Sequence, residues 1–136
     1  MRTASIITIG DELMIGQIID SNSSWIASWL DLNGWKVIRK MGVRDDINEI
    51  NLAIALCHDV SELVITSGGL GPTKDDKTKD ALCIYFQCGT IWHEETWQRI
   101  LKIMTRFNRD PSDLHKQQCY LPDIATVINN DQGSAP

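Results

Sequence analysis

The sequence contains no apolar stretch that approaches the roughly 20 residues a membrane-spanning helix requires. Its N-terminus leads directly into a predicted strand and lacks the charged, apolar and small-residue segments of a secretory signal. Internal repeats and low-complexity tracts are also absent. We therefore expect one soluble domain of 136 residues in the cytoplasm, without a membrane partner.

Basic residues are scarce relative to acidic ones: 13 Lys and Arg stand against 18 Asp and Glu, for a formal net charge of −5. The basic residues are dispersed, and their densest group, Arg99–Arg109, has the spacing of a solvated helix face. An acidic chain without a basic patch repels a phosphate backbone. We therefore expect no nucleic-acid partner.

Closely paired cysteines are missing as well. The four cysteines, Cys57, Cys83, Cys88 and Cys119, include no C-x-x-C pair, which disfavours a structural zinc site. The three histidines show no pairing with a nucleophile, so no Ser/His/Asp or Cys/His catalytic arrangement is visible. These absences leave loops rich in glycine and carboxylates as the candidates for chemistry.

Apolar, β-branched runs alternate along the chain with segments of helical spacing. The runs predict strands at Ser5–Ile9, Trp35–Val43, Leu63–Thr66 and Ala125–Ile128. The helical spacing predicts helices that start near Ser21, Asp45, Lys77, His93 and Ser112. This alternation predicts an α/β fold with a mostly parallel sheet, in which ligands bind at the carboxyl ends of strands.

The first long helix carries two tryptophans, Trp25 and Trp29, on one face. Their spacing of four residues favours packing in the core or against a partner. Ser21, Asn22 and Ser23 offer side chains that can cap the N-terminus of this helix.

A glycine-rich loop follows the third predicted strand. Three glycines in four positions permit positive φ angles and a close approach of backbone N–H groups to an anion. Thr73 and Lys74 suit phosphate oxygens, and two adjacent carboxylates suit a divalent cation such as Mg²⁺ or Mn²⁺. In the alternative interpretation, Asp76 only caps the next helix. The predicted ligand-binding residues of this loop are Gly68, Gly69, Leu70, Gly71, Thr73 and Lys74, and its predicted metal ligands and catalytic carboxylates are Asp75 and Asp76.

A second loop begins where the first predicted strand ends. Asp11 and Glu12 stand where a metal ligand or a general base would be needed, and we favour Glu12 because adjacent side chains in an extended loop diverge. Asn22, at the other end of the loop, is a candidate ligand-binding residue. The alternative is a solvated acidic turn with an ordinary cap from Asn22 or Ser21.

A third loop, Asn129–Pro136, follows the last predicted strand. Gly133 and Ser134 could present a backbone N–H and a hydroxyl to a ligand, although the same pattern is typical of a frayed tail. His115 and Lys116 lie in a polar helix that could reach a phosphate, and Lys116 is a candidate ligand-binding residue.

Taken together, these loops resemble a known family. The segments Ile7–Asn22 and Thr66–Thr78, with the string Gly-Gly-Leu-Gly-Pro-Thr-Lys-Asp-Asp at 68–76, resemble the N-terminal domain of CinA, the competence/damage-inducible protein. That domain is similar to the molybdopterin-binding domains of MogA, MoaB and gephyrin. The resemblance covers essentially the whole chain, 1–136.

The resemblance implies a three-layer α/β/α fold with a mostly parallel sheet. It also implies metal-dependent hydrolysis of the pyrophosphate in ADP-ribose-like nucleotides, with Glu12, Asp75 and Asp76 as catalytic or metal-binding carboxylates. A divalent metal, Mg²⁺ or Mn²⁺, is the expected cofactor, and a monovalent cation is a further candidate. The molybdopterin relatives instead imply binding or adenylylation of a pterin phosphate. The resemblance further implies a homo-oligomer.

Two departures from the family pattern qualify these expectations. Asp11 stands where the family more often has threonine, which leaves Glu12 in place. Gly133–Pro136 matches a Gly-Thr-Ala-Pro motif after which the family continues with a further strand and often an amidase domain. We therefore expect an incomplete domain without the amidase part, and a truncated, non-catalytic domain is a third hypothesis.

Overall fold

Strand β1 (Arg2–Ile9) is the central strand of a three-stranded parallel sheet, with β2 (Trp35–Val43) on one side and β3 (Leu63–Ser67) on the other. Its residues from Ala4 to Ile9 are all buried. Such a continuous apolar run is typical of a parallel strand that is covered on both faces. The parallel sheet and the α/β class that the sequence predicts are confirmed.

The computed structural model describes residues 1–136, which divide into two units, Met1–Gly69 and Leu70–Pro136. The first unit contains the parallel sheet together with three helices, α1 (Asp11–Met14), α2 (Ser21–Leu32) and α3 (Ile47–His58). No helix in either unit is long and apolar enough to cross a membrane.

The two faces of β1 are covered by different helices. Ala4 and Ile6 form a buried cluster with Leu30 of α2. Ser5 points to the opposite face, where its hydroxyl accepts a 2.9 Å hydrogen bond from Ser61, just after α3. Because successive side chains of a strand alternate between faces, α2 and α3 form separate layers on either side of the sheet. The first unit is therefore an α/β/α arrangement.

Carboxylates start both long helices of this unit. Asp46 accepts a 2.9 Å hydrogen bond from the Glu49 N–H at the start of α3, next to the predicted helix start at Asp45. At α2 the predicted caps Ser21, Asn22 and Ser23 are wrong, because Asp20 precedes the helix and accepts from the Ser23 N–H.

The predicted core position of Trp25 and Trp29 is also wrong. Their side chains are 68% and 50% exposed, because α2 turns Ser23 and Leu30, one heptad apart, toward the sheet. Packing of the tryptophans against a partner stays a prediction.

The second unit, Leu70–Pro136, begins with the larger part of the glycine loop and continues as helices and a small two-stranded sheet. Strands β4 and β5 pair antiparallel, with Ile91 opposite Leu121. Its elements are α4 (Thr78–Tyr85), β4 (Thr90–Trp92), α5 (Glu94–Arg106), α6 (Asp113–Gln117) and β5 (Tyr120–Pro122).

The predicted strand Ala125–Ile128 is wrong. The chain turns after β5, where the Ala125 N–H donates to the Pro122 carbonyl, and the segment has no strand partner. Ile128 is 81% exposed. A β-branched run has strand propensity, but a strand forms only where a neighbouring backbone completes its ladder.

Gly68 fixes the path of the chain as it leaves β3. Its φ angle is +99°, and a Cβ placed on it would lie 2.0 Å from the Ile9 carbonyl oxygen. Gly34, after α2, has a φ of +79° but no atom within 4 Å of such a Cβ. The two glycines share a positive φ, and only Gly68 also has a close backbone contact.

We expect Gly68→Ala to lower the free energy of unfolding by roughly 2–4 kcal/mol, because it adds a backbone collision to the strain of positive φ. Gly34→Ala, which adds only the conformational strain, should cost about 1 kcal/mol. Urea denaturation followed by circular dichroism measures both. An equal or smaller loss for Gly68→Ala would contradict the close contact.

Candidate functional site

The loop after β1 places Glu12 and Asp11 in different surroundings. The carboxylate of Glu12 folds back over Gly10, where an added Cβ would lie 2.7 Å from Oε1. Asp11 instead bonds to the loop after β2: its N–H donates to Asp45 (3.1 Å), and the Asp45 N–H donates to Asp11 (3.3 Å). Asp11 is thus held by structural bonds, whereas Glu12 lies exposed at the end of the central strand.

Asp20 bridges the central strand and the start of α2. Its Oδ2 accepts a 2.8 Å hydrogen bond from the Thr8 hydroxyl, and its Oδ1 accepts a 3.0 Å bond from the Ser23 N–H. Burial alone would raise the pKa of Asp20, but the hydrogen bonds from Ser23 and Thr8 and the charge of Lys40 lower it below its ordinary value. The carboxylate is therefore held in its ionised form.

Asn22, the other candidate in this loop, is exposed in the first turn of α2. Asp20 takes the capping role that the sequence assigned to Asn22 or Ser21, so the amide of Asn22 is not used as the cap. Its role toward a ligand stays a prediction.

The glycine loop divides between the two units after Gly69. On the side of the first unit, Gly68 and Gly69 both have positive φ angles, +99° and +64°. These values confirm that the paired glycines provide a backbone path that other residues rarely adopt.

On the side of the second unit, Asp76 folds back onto its own loop. Its Oδ2 accepts two hydrogen bonds from Thr73, 3.0 Å from the N–H and 2.8 Å from the hydroxyl. Gly71 gives the carboxylate room, since an added Cβ would lie 2.5 Å from the same oxygen. The side chain of Asp76 thus closes the loop from within.

The alternative interpretation, in which Asp76 caps the next helix, is wrong. Helix α4 starts at Thr78 after Lys77, and no side chain caps its N-terminus. The carboxylate that the sequence offered as a cap is bonded to Thr73 instead. The partial positive charge at the start of α4 is therefore not offset by a capping side chain.

Lys74 and Asp75, between Thr73 and Asp76, are exposed and have no hydrogen-bond or ion-pair partner in the structure. Asp75 and Asp76 are hard oxygen ligands of the kind that Mg²⁺ and Mn²⁺ prefer. No three His, Cys, Asp or Glu side chains are grouped in a way that could hold a metal ion. The donor set fits only a cation that also takes oxygens from a bound phosphate or from water.

Gln118 anchors the glycine loop, and the sequence did not reveal it. Its Nε2 donates to the Leu70 carbonyl at 3.4 Å, while its buried Oε1 has no partner. The side chain is 5% exposed. The sequence carried no signal for this contact, because the fold decides that this glutamine is buried, and a buried glutamine seldom lacks a polar contact.

The third loop is held in place by Arg99 of α5. The guanidinium donates to the Asn130 carbonyl and, at 3.1 Å, to the Ser134 carbonyl. The Asn130 side chain closes the loop by donating to the Ala135 carbonyl at 3.0 Å. Gly133 and Ser134 are half-buried, so the interpretation of this segment as a frayed tail is wrong. Their predicted contact with a ligand is untested.

A cavity of about 370 Å³ lies beside this loop in the second unit. Three basic side chains on one side of α5 contribute to its wall, and acidic and amide groups complete it. The lining residues are Glu95, Gln98, Arg99, Lys102, Ile103, Arg106, Asn129 and Asp131.

Lys116 and His115 lie in the short helix α6. Lys116 forms an exposed ion pair of 3.7 Å with Asp113, which is of the kind that contributes little to stability. The His115 ring accepts a 3.0 Å bond from the Ser112 N–H and so caps the helix. The sequence-predicted contact of Lys116 with a phosphate stays a prediction, as does the joint action of Glu12 with Asp75 and Asp76.

Residues 5–120 match the family described as a probable molybdopterin-binding domain. A CinA-like protein of Cytophaga hutchinsonii is 41% identical over 133 residues, which make up 98% of this chain and 32% of that protein. A CinA-like protein of Flavobacterium psychrophilum is 40% identical with the same coverage. The chain therefore spans about a third of the length of these curated relatives.

Solved structures are similar in fold. CinA from Thermoplasma acidophilum, a protein described as of unknown function, matches with a TM-score of 0.88 and 31% identity over 99% of this chain and 79% of that one. The molybdopterin biosynthesis enzyme MoaB from Thermus thermophilus matches with a TM-score of 0.57 and 26% identity over 60% of this chain and 53% of that one.

We expect Asp20→Ala to lower the free energy of unfolding by about 1–2 kcal/mol at pH 7, because it removes a helix cap and the partner of Thr8. The pKa of Asp20 is lowered on folding, so its contribution is complete above the ordinary value of 3.8 and is lost as the pH falls through the lowered value.

The difference between the parent chain and Asp20→Ala should therefore shrink in acid, as measured by urea denaturation from pH 7 downward. Asp31→Ala, an exposed position in the last turn of the same helix, serves as the control and should change stability by less than about 0.5 kcal/mol. A difference that stays constant into strong acid would contradict the ionised cap.

Proposed function

The chain belongs to the CinA-like branch of the molybdopterin-binding-domain family, and we propose that it hydrolyses the pyrophosphate of ADP-ribose-like nucleotides with a divalent metal. The observation that carries this proposal is the arrangement of Thr73 and Asp76 in the glycine loop. Family membership supports the ligand class, a phosphate-bearing small molecule.

Thr73 offers two donors that converge on one oxygen. Its N–H and its hydroxyl lie 3.0 Å and 2.8 Å from Oδ2 of Asp76. A phosphate oxygen can accept the same pair of hydrogen bonds, and charge-assisted bonds to an anion are stronger than neutral ones. The Asp76 carboxylate thus stands in for a phosphate oxygen, and a ligand that replaces it would release the carboxylate.

Two further features favour an anion at this loop. Lys74 is exposed, without an ion-pair partner, next to Thr73. Helix α4 begins two residues after Asp76, and its N-terminus has no side-chain cap. The N-terminus of a helix favours negative charge through its unpaired N–H groups and its dipole.

The carboxylates of the loop supply the second half of the proposal. Either Asp75 or Asp76 would hold the divalent ion together with phosphate oxygens, in keeping with the small protein donor sets of Mg²⁺ sites. When bound, such an ion would offset the charge of the two phosphates and make the attacking water more acidic. A monovalent cation would serve only to balance further phosphate charge.

The reaction consumes one water for each pyrophosphate. The water oxygen attacks one phosphorus, the bridging P–O bond breaks, and the products are AMP and ribose 5-phosphate. Whichever of Asp75 and Asp76 is not engaged with the ion would orient the water and accept its proton. Thr73 and Lys74 would hold the phosphate that leaves. Glu12, the exposed carboxylate after β1, is the other candidate for the base.

A second function is favoured by one specific finding, the family's description as a probable molybdopterin-binding domain. In that case the same Thr73 donors would bind the phosphate of a pterin, and no pyrophosphate would be cleaved. Calorimetry with a pterin phosphate and with ADP-ribose separates the two functions. Tighter binding of the pterin, without AMP formation, would favour the second.

The hydrolase proposal predicts AMP from ADP-ribose only when Mg²⁺ or Mn²⁺ is present, as measured by chromatography. Asp76→Asn keeps an oxygen acceptor for Thr73 but removes the charge, so we expect the rate to fall by about 100-fold or more. Asp80→Asn, an exposed carboxylate in α4 outside the loop, is the matched control and should keep the parent rate.

Metal-loaded protein that binds ADP-ribose but releases no AMP would contradict the hydrolase proposal. An Asp76→Asn variant as active as the Asp80→Asn control would contradict the role of the loop carboxylate. A chain that binds neither ligand would favour the third hypothesis, a non-catalytic domain.

A further inference from the structure

The end of helix α4 has an uncommon composition. Phe86 ends the helix, and Gln87 takes the left-handed conformation with a φ of +52°. The Cys88 N–H donates to the Cys83 carbonyl at 3.0 Å, and the Gln87 N–H donates to the Ile84 carbonyl at 3.2 Å. These two bonds define a Schellman motif. The side chains at the two positions that Cys83 and Cys88 occupy in this motif are neighbours.

A hydrophobic contact between these two positions frequently accompanies the motif, and here the two side chains are thiols. Both side chains are half-buried and therefore partly accessible. The Cys83 thiol donates to the Gly89 carbonyl at 3.8 Å and also interacts with the Cys88 thiol. The hydrogen bonds of the motif hold the two cysteines together from the backbone.

We propose that Cys83 and Cys88 are a modification site that a small-molecule disulfide, such as oxidised glutathione, converts reversibly into an intramolecular disulfide. A disulfide requires Cα atoms within about 4.4–6.8 Å and side chains that point toward each other. The 3.0 Å hydrogen bond from the Cys88 N–H to the Cys83 carbonyl holds the two backbones close together, and the interaction of the two thiols places their side chains next to each other.

The oxidation is a two-electron thiol–disulfide exchange with the small-molecule disulfide. One cysteine, as a thiolate, attacks the small disulfide and forms a mixed disulfide, releasing one glutathione thiolate. The second cysteine then attacks the protein sulfur of that mixed disulfide and releases the second glutathione. Both cysteines lose a proton and together two electrons, and the small disulfide is reduced to two thiols.

The order of the two attacks follows from the surroundings of Cys83. Burial, with a contribution from the Cys88 thiol, raises the pKa of Cys83 above its ordinary value and keeps it protonated at neutral pH. Because only the thiolate attacks, the protonated Cys83 is assigned the second step.

The other two cysteines provide internal controls. Cys57 and Cys119 are fully buried, and a thiol without access to the oxidant is inert. The Cys57 sulfur lies 3.7 Å from the Met41 sulfur, and the Cys119 thiol donates to the His115 carbonyl at 3.4 Å. Neither has a second thiol as its neighbour.

The test equilibrates the whole folded chain with oxidised and reduced glutathione. The free thiols are then alkylated, the chain is digested with trypsin, and the peptide masses are measured by mass spectrometry. Cleavage after Lys79 and Arg99 leaves both cysteines in one peptide, 80–99, apart from Cys57 and Cys119. We expect this peptide to be lighter by two hydrogen atoms and to carry no alkyl group. Cys83→Ser should instead accumulate the mixed disulfide on Cys88.

The same equilibration in concentrated urea tests whether the folded backbone favours the disulfide beyond what the short sequence separation of the two cysteines provides. We expect the disulfide to be at least about ten-fold more favoured in the folded chain than in the unfolded one. Two alkylated thiols in peptide 80–99, a mixed disulfide that does not close, or an equal equilibrium in urea would each overturn the proposal.

Discussion

Burial of β1 on both faces is the constraint on which the first unit depends. The strand from Ala4 to Ile9 is fully enclosed, so every backbone group must find a partner in β2 or β3, and the chain can change direction only where the strand ends. The polar groups therefore appear at the carboxyl end of the sheet. Thr8 meets Asp20 there, and Glu12 follows directly.

The same constraint explains why glycine is required at position 68, directly after β3. The chain leaves this strand next to the end of β1, and the Ile9 carbonyl leaves no space for a side chain on Gly68. In the second unit the loop is stabilised differently, by the Asp76 carboxylate on Thr73 and by Gln118 on the Leu70 carbonyl. A loop held by its own polar groups has hydrogen-bond donors that are already oriented, and the proposed binding of an anion depends on this.

Local sequence signals predicted most elements because they are strong where an element is also well buried. Trp35–Val43 was predicted with its observed bounds, and the start of α3 was predicted near Asp45 because carboxylates precede an apolar helical pattern there. Ala125–Ile128 has the same β-branched character, yet no neighbouring backbone pairs with it. For Trp25 the spacing predicted packing in the core or against a partner, because helical spacing shows that a face exists without showing which face meets the sheet.

The sequence by itself determined the α/β class, the family resemblance and the residue types of three loops, because these depend on periodicity and on contiguous strings. Only the tertiary structure decided which groups those loops contact. Asp76 bonds to Thr73 instead of capping α4, Asp20 caps α2, and Arg99 holds the third loop. A side-chain oxygen accepts from whichever donor the fold brings within about 3 Å, and that distance is a property of the folded backbone and not of the order of residues.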